Sequence, residues 1–225
     1  MCLHGVTDTW RTWELVLPAL ERRHDVLALT LPGHAGGPPL AGPVTEATMA
    51  DAVERAMDEA GFATAHLVGN SLGGYVALQL AARGRARTVV ALAPAGGWAP
   101  GDPAVAELFV RQRDMHEALK AGAPHGRGVP ELRAHQMLGA ASARVPALVE
   151  HAQRSDWPLD PERITCPVRV VWGADDALLS WPSAAVRYRH ESLPHADWIV
   201  LDGVGHHPQL DAPLETAQLI LGFTS

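Results

Sequence analysis

The sequence predicts an α/β fold with a mainly parallel β-sheet and helices on both of its faces. Short runs of β-branched residues and leucine alternate with stretches of helical pattern, as in repeated β-α-β units. The strand runs are apolar throughout, which is typical of parallel strands that are covered on both faces. The chain has 225 residues, of which 47% are hydrophobic, and a chain of this size can bury a large core.

Five segments carry the strand pattern, and five carry the helical pattern. The predicted strands are 25–31, 65–69, 88–94, 168–173 and 198–203. The predicted helices are 10–22, 45–60, 73–83, 182–192 and 211–222. Gly61 and Gly84 follow the second and third of these helices, and glycine is favoured just past a helix end because it tolerates a positive φ.

Residues 96–162 interrupt this alternation of strands and helices. They contain no convincing strand, and Asp102 followed by Pro103 is a typical helix start. Apolar residues then recur at helical spacing. We therefore predict a core made of 1–95 and 163–225, with an all-helical insertion at 96–162 between two strands of the sheet.

The charge and cysteine content exclude several classes of protein. The net charge of −7 and the scattered basic residues argue against binding to nucleic acid. No apolar run approaches the ~18–20 residues of a membrane span, and the first residues do not resemble a secretory signal. Cys2 and Cys166 are far apart and form no metal-binding motif. We expect a cytoplasmic protein with reduced thiols and without a metal ion or a membrane partner; the sequence does not predict the oligomeric state.

The segment Gly-Asn-Ser-Leu-Gly-Gly, residues 69–74, stands where a predicted strand turns into a predicted helix. A serine between glycines two residues away on either side is the pattern of a nucleophile elbow, in which a sharp turn exposes the hydroxyl group. A phosphate-binding loop fits less well, because no Lys-Ser or Lys-Thr pair follows the glycines. Serine is a weak nucleophile, so Ser71 needs a histidine base and a carboxylate that orients the base.

Loops after two later strands supply both groups. Asp175 and Asp176 follow the strand 168–173, and His206 and His207 follow the strand at 198–203. The carboxyl ends of parallel strands meet at one edge of a sheet, where functional sites collect. The order serine, acid, histidine is the one that the elbow motif requires. The pattern therefore predicts a catalytic triad, with a choice between two aspartates and between two histidines.

Five motifs together resemble the α/β-hydrolase superfamily. They are "LHG" (3–5), "LPGH" (31–34), "GNSLGG" (69–74), "WGADD" (172–176) and "GVGHHPQLDAP" (203–213). The resemblance covers nearly the whole chain and points to the capped, esterase- or lipase-like serine hydrolases. It implies that the insertion at 96–162 is a cap that roofs the active site.

The resemblance also assigns roles to individual residues. The acid of the superfamily falls three residues after the glycine that ends its strand, so Gly173 selects Asp176. The superfamily histidine directly follows a glycine, which selects His206. The oxyanion hole is implied to consist of the N–H groups of Leu72 and Val6.

The start of the sequence departs from the superfamily. Its members normally have an N-terminal hairpin and a complete central strand before the His-Gly pair, whereas only three residues precede that pair here. The hairpin is missing from the sequence. Either the start is truncated, or the sheet contains a very short strand near its centre.

A serine nucleophile indicates acyl chemistry. Haloalkane dehalogenases and epoxide hydrolases of this superfamily attack with aspartate, because their intermediate is an ester that is hydrolysed at its carbonyl. We expect a serine hydrolase that cleaves a carboxylic ester or a related acyl bond of a small molecule through an acyl-enzyme, without a cofactor. A C–C bond hydrolase or an acyltransferase that uses the same triad, a non-catalytic ligand-binding protein and a truncated, inactive chain are the alternatives.

Large apolar residues of the insertion are candidates for the substrate pocket. An acyl group would be bound by apolar and aromatic side chains. The alternative is that these side chains pack the cap onto the core. The candidates are Trp98, Phe109, Met137 and Trp157.

Overall fold

A computed structural model describes residues 1–39, 45–99 and 157–224, together with the single residues Glu107, Val110, Asp114, Ala147 and His151. In these ranges one six-stranded sheet has the order β2-β1-β3-β4-β5-β6, and each pair of neighbouring strands is parallel. The strands are β1 (Cys2–Leu3), β2 (Ala28–Leu29), β3 (Ala65–Asn70), β4 (Ala86–Leu92), β5 (Val168–Gly173) and β6 (Asp197–Leu201). The predicted α/β fold with a parallel sheet is confirmed.

The first strand is very short and lies inside the sheet. Leu3 of β1 pairs with Leu29 of β2 on one side and with Gly69 of β3 on the other. The strand predicted over 25–31 is wrong in length, since only Ala28–Leu29 is paired. The reason is physical: among the described strands β2 pairs with β1 alone, and two residues of β1 offer only two pairing positions.

Several helices occupy the described ranges. They are α1 (Leu17–Leu20), α2 (Glu46–Glu59), α3 (Leu72–Ala82), α4 (Pro208–Asp211) and α5 (Pro213–Leu221). Single turns of 3-10 helix lie at Trp10–Trp13, Pro161–Arg163 and Ser183–Ala185, and a π-helical turn lies at Tyr188–Ser192. Both α2 and α3 agree with the predicted helices to within about one residue, and Thr45 caps α2 through a reciprocal hydrogen-bond pair with Thr48.

Three predicted helices are divided in the structure. The helix predicted over 10–22 is wrong as a continuous element, because Pro18 lacks an N–H group and falls in the first turn of α1. The segment predicted over 182–192 consists of the separate turns at Ser183–Ala185 and Tyr188–Ser192. The segment predicted over 211–222 contains the end of α4 and then α5, which starts anew at Pro213.

The strands bury both of their faces, as their apolar composition predicts. On β4, Val89 and Ala91 belong to a core cluster that includes residues of α2 and α3, while Val90 and Leu92 belong to a second cluster that includes residues of α1 and α5. Helix α3 is buried along almost its whole length. It therefore lies in the interior, with its amino terminus beside the carboxyl end of β3.

A cavity of about 270 Å³ opens at the amino ends of β1 and β3, and Leu20, His66 and Arg87 are among the residues that line it. Ser71 follows the carboxyl end of β3, so the predicted site and this cavity lie at opposite ends of the strands. Of the helices in the described ranges, none combines the length and the apolar character that crossing a bilayer requires.

Candidate active site

The serine of the predicted elbow occupies a strained turn. Ser71 connects β3 to α3 with φ 53° and ψ −117°, a conformation that residues with a side chain rarely adopt. A methyl group on Gly69 would lie 2.2 Å from the carbonyl oxygen of Gly73, and one on Gly73 would lie 2.2 Å from the carbonyl oxygen of Leu3. The close approach of strand and helix therefore excludes a side chain at both glycines.

A buried carboxylate and an imidazole meet in the loops after β5 and β6. Oδ2 of Asp176 lies 2.7 Å from Nδ1 of His206. The other oxygen, Oδ1, accepts hydrogen bonds from the N–H groups of Leu178 and Leu179, at 2.9 and 2.7 Å. Asp176 is buried and Asp175 is exposed. The loop itself therefore holds the carboxylate in place, and only one oxygen is left for the imidazole.

The geometry at His206 determines which ring nitrogen is available. A neutral imidazole that donates from Nδ1 to a carboxylate carries its lone pair on Nε2. Nε2 of His206 is buried and has no hydrogen-bond partner among the described residues. The ring of His207 meets that of His206 edge to face, with centroids 5.0 Å apart. His206 thus has its orienting carboxylate on one side and an available acceptor on the other.

The loop that contains the predicted second oxyanion donor passes close to the serine. A methyl group on Gly5 would lie 3.2 Å from Cβ of Ser71. Val6 follows Gly5 directly, and Leu72 begins α3, where a helix leaves its first N–H groups unpaired. Among the described residues, neither the Val6 nor the Leu72 N–H donates a hydrogen bond. Their role as oxyanion donors stays a prediction.

The predicted pocket residues divide into two groups. Trp98 and Trp157 are buried, and their rings meet edge to face with centroids 5.4 Å apart. Trp157 makes a second edge-to-face contact, at 4.9 Å, with Tyr75 of α3. Phe109 and Met137 lie outside the described residues. Contact of any of the four with substrate stays a prediction.

Sequence reasoning did not single out a group of buried polar side chains beneath the site. Nδ2 of Asn70 donates to the carbonyl oxygens of His206 (2.9 Å) and Leu92 (3.1 Å). Nε2 of Gln209 donates to Oδ1 of Asn70 (3.2 Å) and to Oγ1 of Thr12 (3.1 Å). The available signal was Asn70 itself, a polar residue at the end of an otherwise apolar strand and directly before the serine.

The described ranges contain no group of three or more His, Cys, Asp or Glu side chains arranged to hold a metal ion.

A parallel sheet with a strained serine after β3, and an Asp-His pair in the loops after β5 and β6, defines the class of α/β hydrolases. The chain belongs to the alpha/beta hydrolase family, whose sequence profile matches residues 1–219. The predicted membership of this superfamily is therefore confirmed.

The relatives of the chain include hydrolases of different kinds. "Epoxide hydrolase EphH" of Mycobacterium tuberculosis is 36% identical over 205 residues, which cover 80% of this chain and 95% of that protein. The pimeloyl-(acyl-carrier protein) methyl ester esterase of Aromatoleum aromaticum is 30% identical over 247 residues and covers 97% and 94%. A solved structure of a thermophilic esterase from Thermogutta terrifontis is similar in fold, with a TM-score of 0.77, 22% identity and coverage of 98% of this chain and 87% of that one.

Proposed function

We propose that this hydrolase cleaves a carboxylic ester or a related acyl bond by means of a Ser71-His206-Asp176 triad. The single observation that supports the proposal best is the buried Asp176–His206 pair, with its 2.7 Å contact and an Nε2 that has no partner among the described residues. The hydrogen bond from Asn70 to the backbone of His206 adds support, because Asn70 immediately precedes Ser71. Nucleophile and base therefore belong to segments that contact each other.

In the proposed reaction, Oγ of Ser71 attacks the carbonyl carbon of the substrate while Nε2 of His206 takes the hydroxyl proton. The negative charge that develops on the carbonyl oxygen is stabilised by the N–H groups of Leu72 and Val6. When the tetrahedral intermediate collapses, the bond to the leaving group breaks, and His206 returns the proton to it. Asp176 stabilises the imidazolium in between.

The acyl-enzyme is then resolved by water. His206 removes a proton from the water as it attacks the acyl carbon, and the same N–H groups hold the second oxyanion. Collapse of this intermediate returns the proton to Oγ of Ser71 and releases the carboxylic acid. The hydroxyl group of Ser71 is thereby regenerated, so the cycle needs no cofactor.

The chemistry of Ser71 favours acyl substrates over epoxides, although one relative is named an epoxide hydrolase. An aspartate that opens an epoxide forms an ester, which water can hydrolyse at its carbonyl. A serine that opened an epoxide would form an ether, which has no carbonyl to attack. Turnover of an epoxide by Ser71 would therefore stop at the alkylated enzyme.

We include three further features in the proposal. The substrate is a small acyl compound, and residues 96–162 form a helical cap over it that is inserted into the core of 1–95 and 163–225. The location is cytoplasmic, which fits the two free thiols of Cys2 and Cys166. Fractionation of cells that produce the protein tests the location.

A fluorophosphonate probe and a series of p-nitrophenyl esters test the triad. Wild-type protein is expected to be labelled and to release p-nitrophenol, whereas Ser71→Ala does neither. Ser183→Ala is the matched control, because Ser183 is an exposed serine in a 3-10 turn. Labelling and turnover that persist in Ser71→Ala would refute the assignment of the nucleophile.

Product analysis then separates the remaining reactions of the same triad. Release of the free acid in water identifies a hydrolase. An acyltransferase instead passes the acyl group to an added alcohol or thiol in preference to water, and a C–C hydrolase prefers diketones to esters. A folded wild-type chain that is not labelled at all would favour a ligand-binding role.

A further inference from the structure

We propose that Asn70, Gln209 and Thr12 form a positioning cluster that holds the backbone of His206 in register with Ser71. The inference deepens the proposed function and rests on it, since it concerns the geometry of the same base and nucleophile. None of the three side chains is proposed to touch the substrate. They act on the reaction through the backbone of His206.

Asn70 joins the nucleophile segment to the base. Its side chain is fully buried, and its Nδ2 donates to the carbonyl oxygen of His206 at 2.9 Å, across 136 residues of sequence. The same nitrogen donates to the carbonyl oxygen of Leu92, the last residue of β4, at 3.1 Å. The residue before the nucleophile therefore fixes the residue that carries the base.

The contacts of Asn70 determine how its amide is oriented. Two carbonyl oxygens face one end of the side chain, and only the –NH₂ group can donate to both. The opposite end is then the oxygen Oδ1, which requires a donor. Nε2 of Gln209 supplies it at 3.2 Å, so the orientation of the second amide follows from that of the first.

Gln209 extends the cluster to a third segment of the site. Its side chain is fully buried in α4, which begins two residues after His206. The second proton of Nε2 is donated to Oγ1 of Thr12 at 3.1 Å. Thr12 belongs to the 3-10 turn Trp10–Trp13, which follows the loop that carries Val6. The cluster thus connects the segments that carry the nucleophile, the base and a predicted oxyanion donor.

The arrangement holds His206 at two points. Asp176 holds the ring through Nδ1, and Asn70 holds the backbone through the carbonyl oxygen. Without the second contact the ring could still pivot about its bond to Asp176, and Nε2 would move relative to Ser71. A misplacement of about 1 Å can lower a rate by about 100-fold, so loss of this contact is expected to slow proton transfer.

The test compares the same substitution at two glutamines. Gln209→Met keeps the length of the side chain and removes both hydrogen bonds to the cluster. Gln79→Met is the matched control, because Gln79 is a partly buried amide in α3 that bonds to Tyr75 and to Pro158, away from the cluster. We expect Gln209→Met to lower kcat for a p-nitrophenyl ester by about 10- to 100-fold, with KM nearly unchanged. Gln79→Met should keep the wild-type kcat.

A conservative pair at Thr12 covers the case in which Gln209→Met does not fold. Thr12→Ser retains the hydroxyl group and should keep the wild-type kcat. Thr12→Val has nearly the same shape without the acceptor, and should lower kcat without a matching change in KM. Equal kcat for the two Thr12 variants, or for the two glutamine variants, would overturn the proposal.

A spectroscopic measurement separates this inference from the proposed function. The proton on Nδ1 of His206, shared with Asp176, is expected to give a far-downfield ¹H resonance in wild-type protein and in Gln79→Met. In Gln209→Met the resonance should shift or broaden while the folded fraction stays constant. An unchanged resonance would count against the positioning role. The readout does not depend on turnover, so it decides the matter even if the wild-type protein hydrolyses none of the esters.

Discussion

The rings of His4 and His34 meet edge to face in the interior, with their centroids 4.9 Å apart. Nε2 of His4 accepts a hydrogen bond from the N–H group of Leu31 at 2.8 Å, so this nitrogen carries no proton. Burial, and next the repulsion that a protonated His34 exerts, hold the pKa of His4 well below its usual value. Burial lowers the pKa of His34 to about 4. Both rings are therefore neutral in the folded protein at neutral pH.

This pair makes stability depend on pH below neutrality. The unfolded chain binds protons at both histidines as the pH falls through about 6.5, whereas the folded protein does not. The free energy of unfolding is therefore not reduced by these two histidines above about pH 6.5, and it decreases as the pH falls from there towards 4. For His34 alone we expect a loss of about 2 kcal/mol between pH 7.5 and pH 5. Urea unfolding at the two pH values measures it.

His34→Gln removes one of these titrations. The difference in unfolding free energy between pH 7.5 and pH 5 should shrink in this variant. His195→Gln is the control, because His195 is exposed. The unfolding free energy of this variant should depend on pH as that of the wild-type protein does. If His34→Gln were to show the full wild-type pH dependence, burial of a neutral His34 would not be its cause.

The two neighbouring aspartates offer a test of the acid. Asp176→Asn keeps the shape of the side chain but replaces the carboxylate that contacts Nδ1 of His206. We expect kcat for a p-nitrophenyl ester to fall by about 10³- to 10⁴-fold, because the base loses both its preferred tautomer and the charge that stabilises it. Asp175→Asn, at an exposed position, should leave kcat unchanged. The reverse pattern would reassign the acid to Asp175.

The close packing around Ser71 predicts that even one added methyl group, at Gly69, destabilises the protein. Gly69→Ala would place a methyl group against the backbone of Gly73 at 2.2 Å, so either the strand or the helix has to move. We expect a loss of at least about 2 kcal/mol of unfolding free energy, measured with urea, and strongly reduced ester turnover. At Gly222, past the end of α5, an added methyl group meets its nearest neighbour at 3.2 Å, and Gly222→Ala should be tolerated. Equal stability of the two variants would contradict the packing described here.

Substitution of Trp157 tests whether the aromatic residues of the insertion line the substrate pocket or only pack the cap onto the core. It contacts both Trp98 and Tyr75, so Trp157→Leu is expected to lower stability whichever interpretation is correct. If it also lines the substrate pocket, the ratio of kcat/KM values for long- and short-chain p-nitrophenyl esters will change. We expect such a change towards longer chains, because the smaller side chain leaves room. A constant ratio would assign Trp157 to packing alone.

The sequence contained enough information to predict the central elements of the sheet. The apolar runs of β3 and β5 and the pattern of α3 predict these elements to within about one residue, because each is buried along most of its length. The paired length of a strand is harder to predict than its apolar pattern. The run at 25–31 has a strand composition, yet its paired length is set by β1, a separate segment of only two residues.

The candidate site was predictable only where motifs mark it. The Asp176–His206 contact follows from two loops at the ends of neighbouring strands. The contacts of Asn70 with His206 and Gln209 join residues 136 and 139 positions apart, and no local pattern indicates which buried amides will meet. Their recognition requires coordinates, because hydrogen-bond partners of a buried amide depend on tertiary packing.

The link from Asn70 to His206 and Gln209 also has a consequence for the time at which the site forms during synthesis. At the ~5–20 residues per second of translation, the 139 residues between Asn70 and Gln209 take roughly 7–28 s to be added. During that interval a nascent chain contains Ser71 without His206, its proposed base. According to the proposed triad, premature fragments that end before residue 206 lack the general base of Ser71 and should not hydrolyse esters. Hydrolytic activity would appear only after β6 and α4 have been made and have docked against β3.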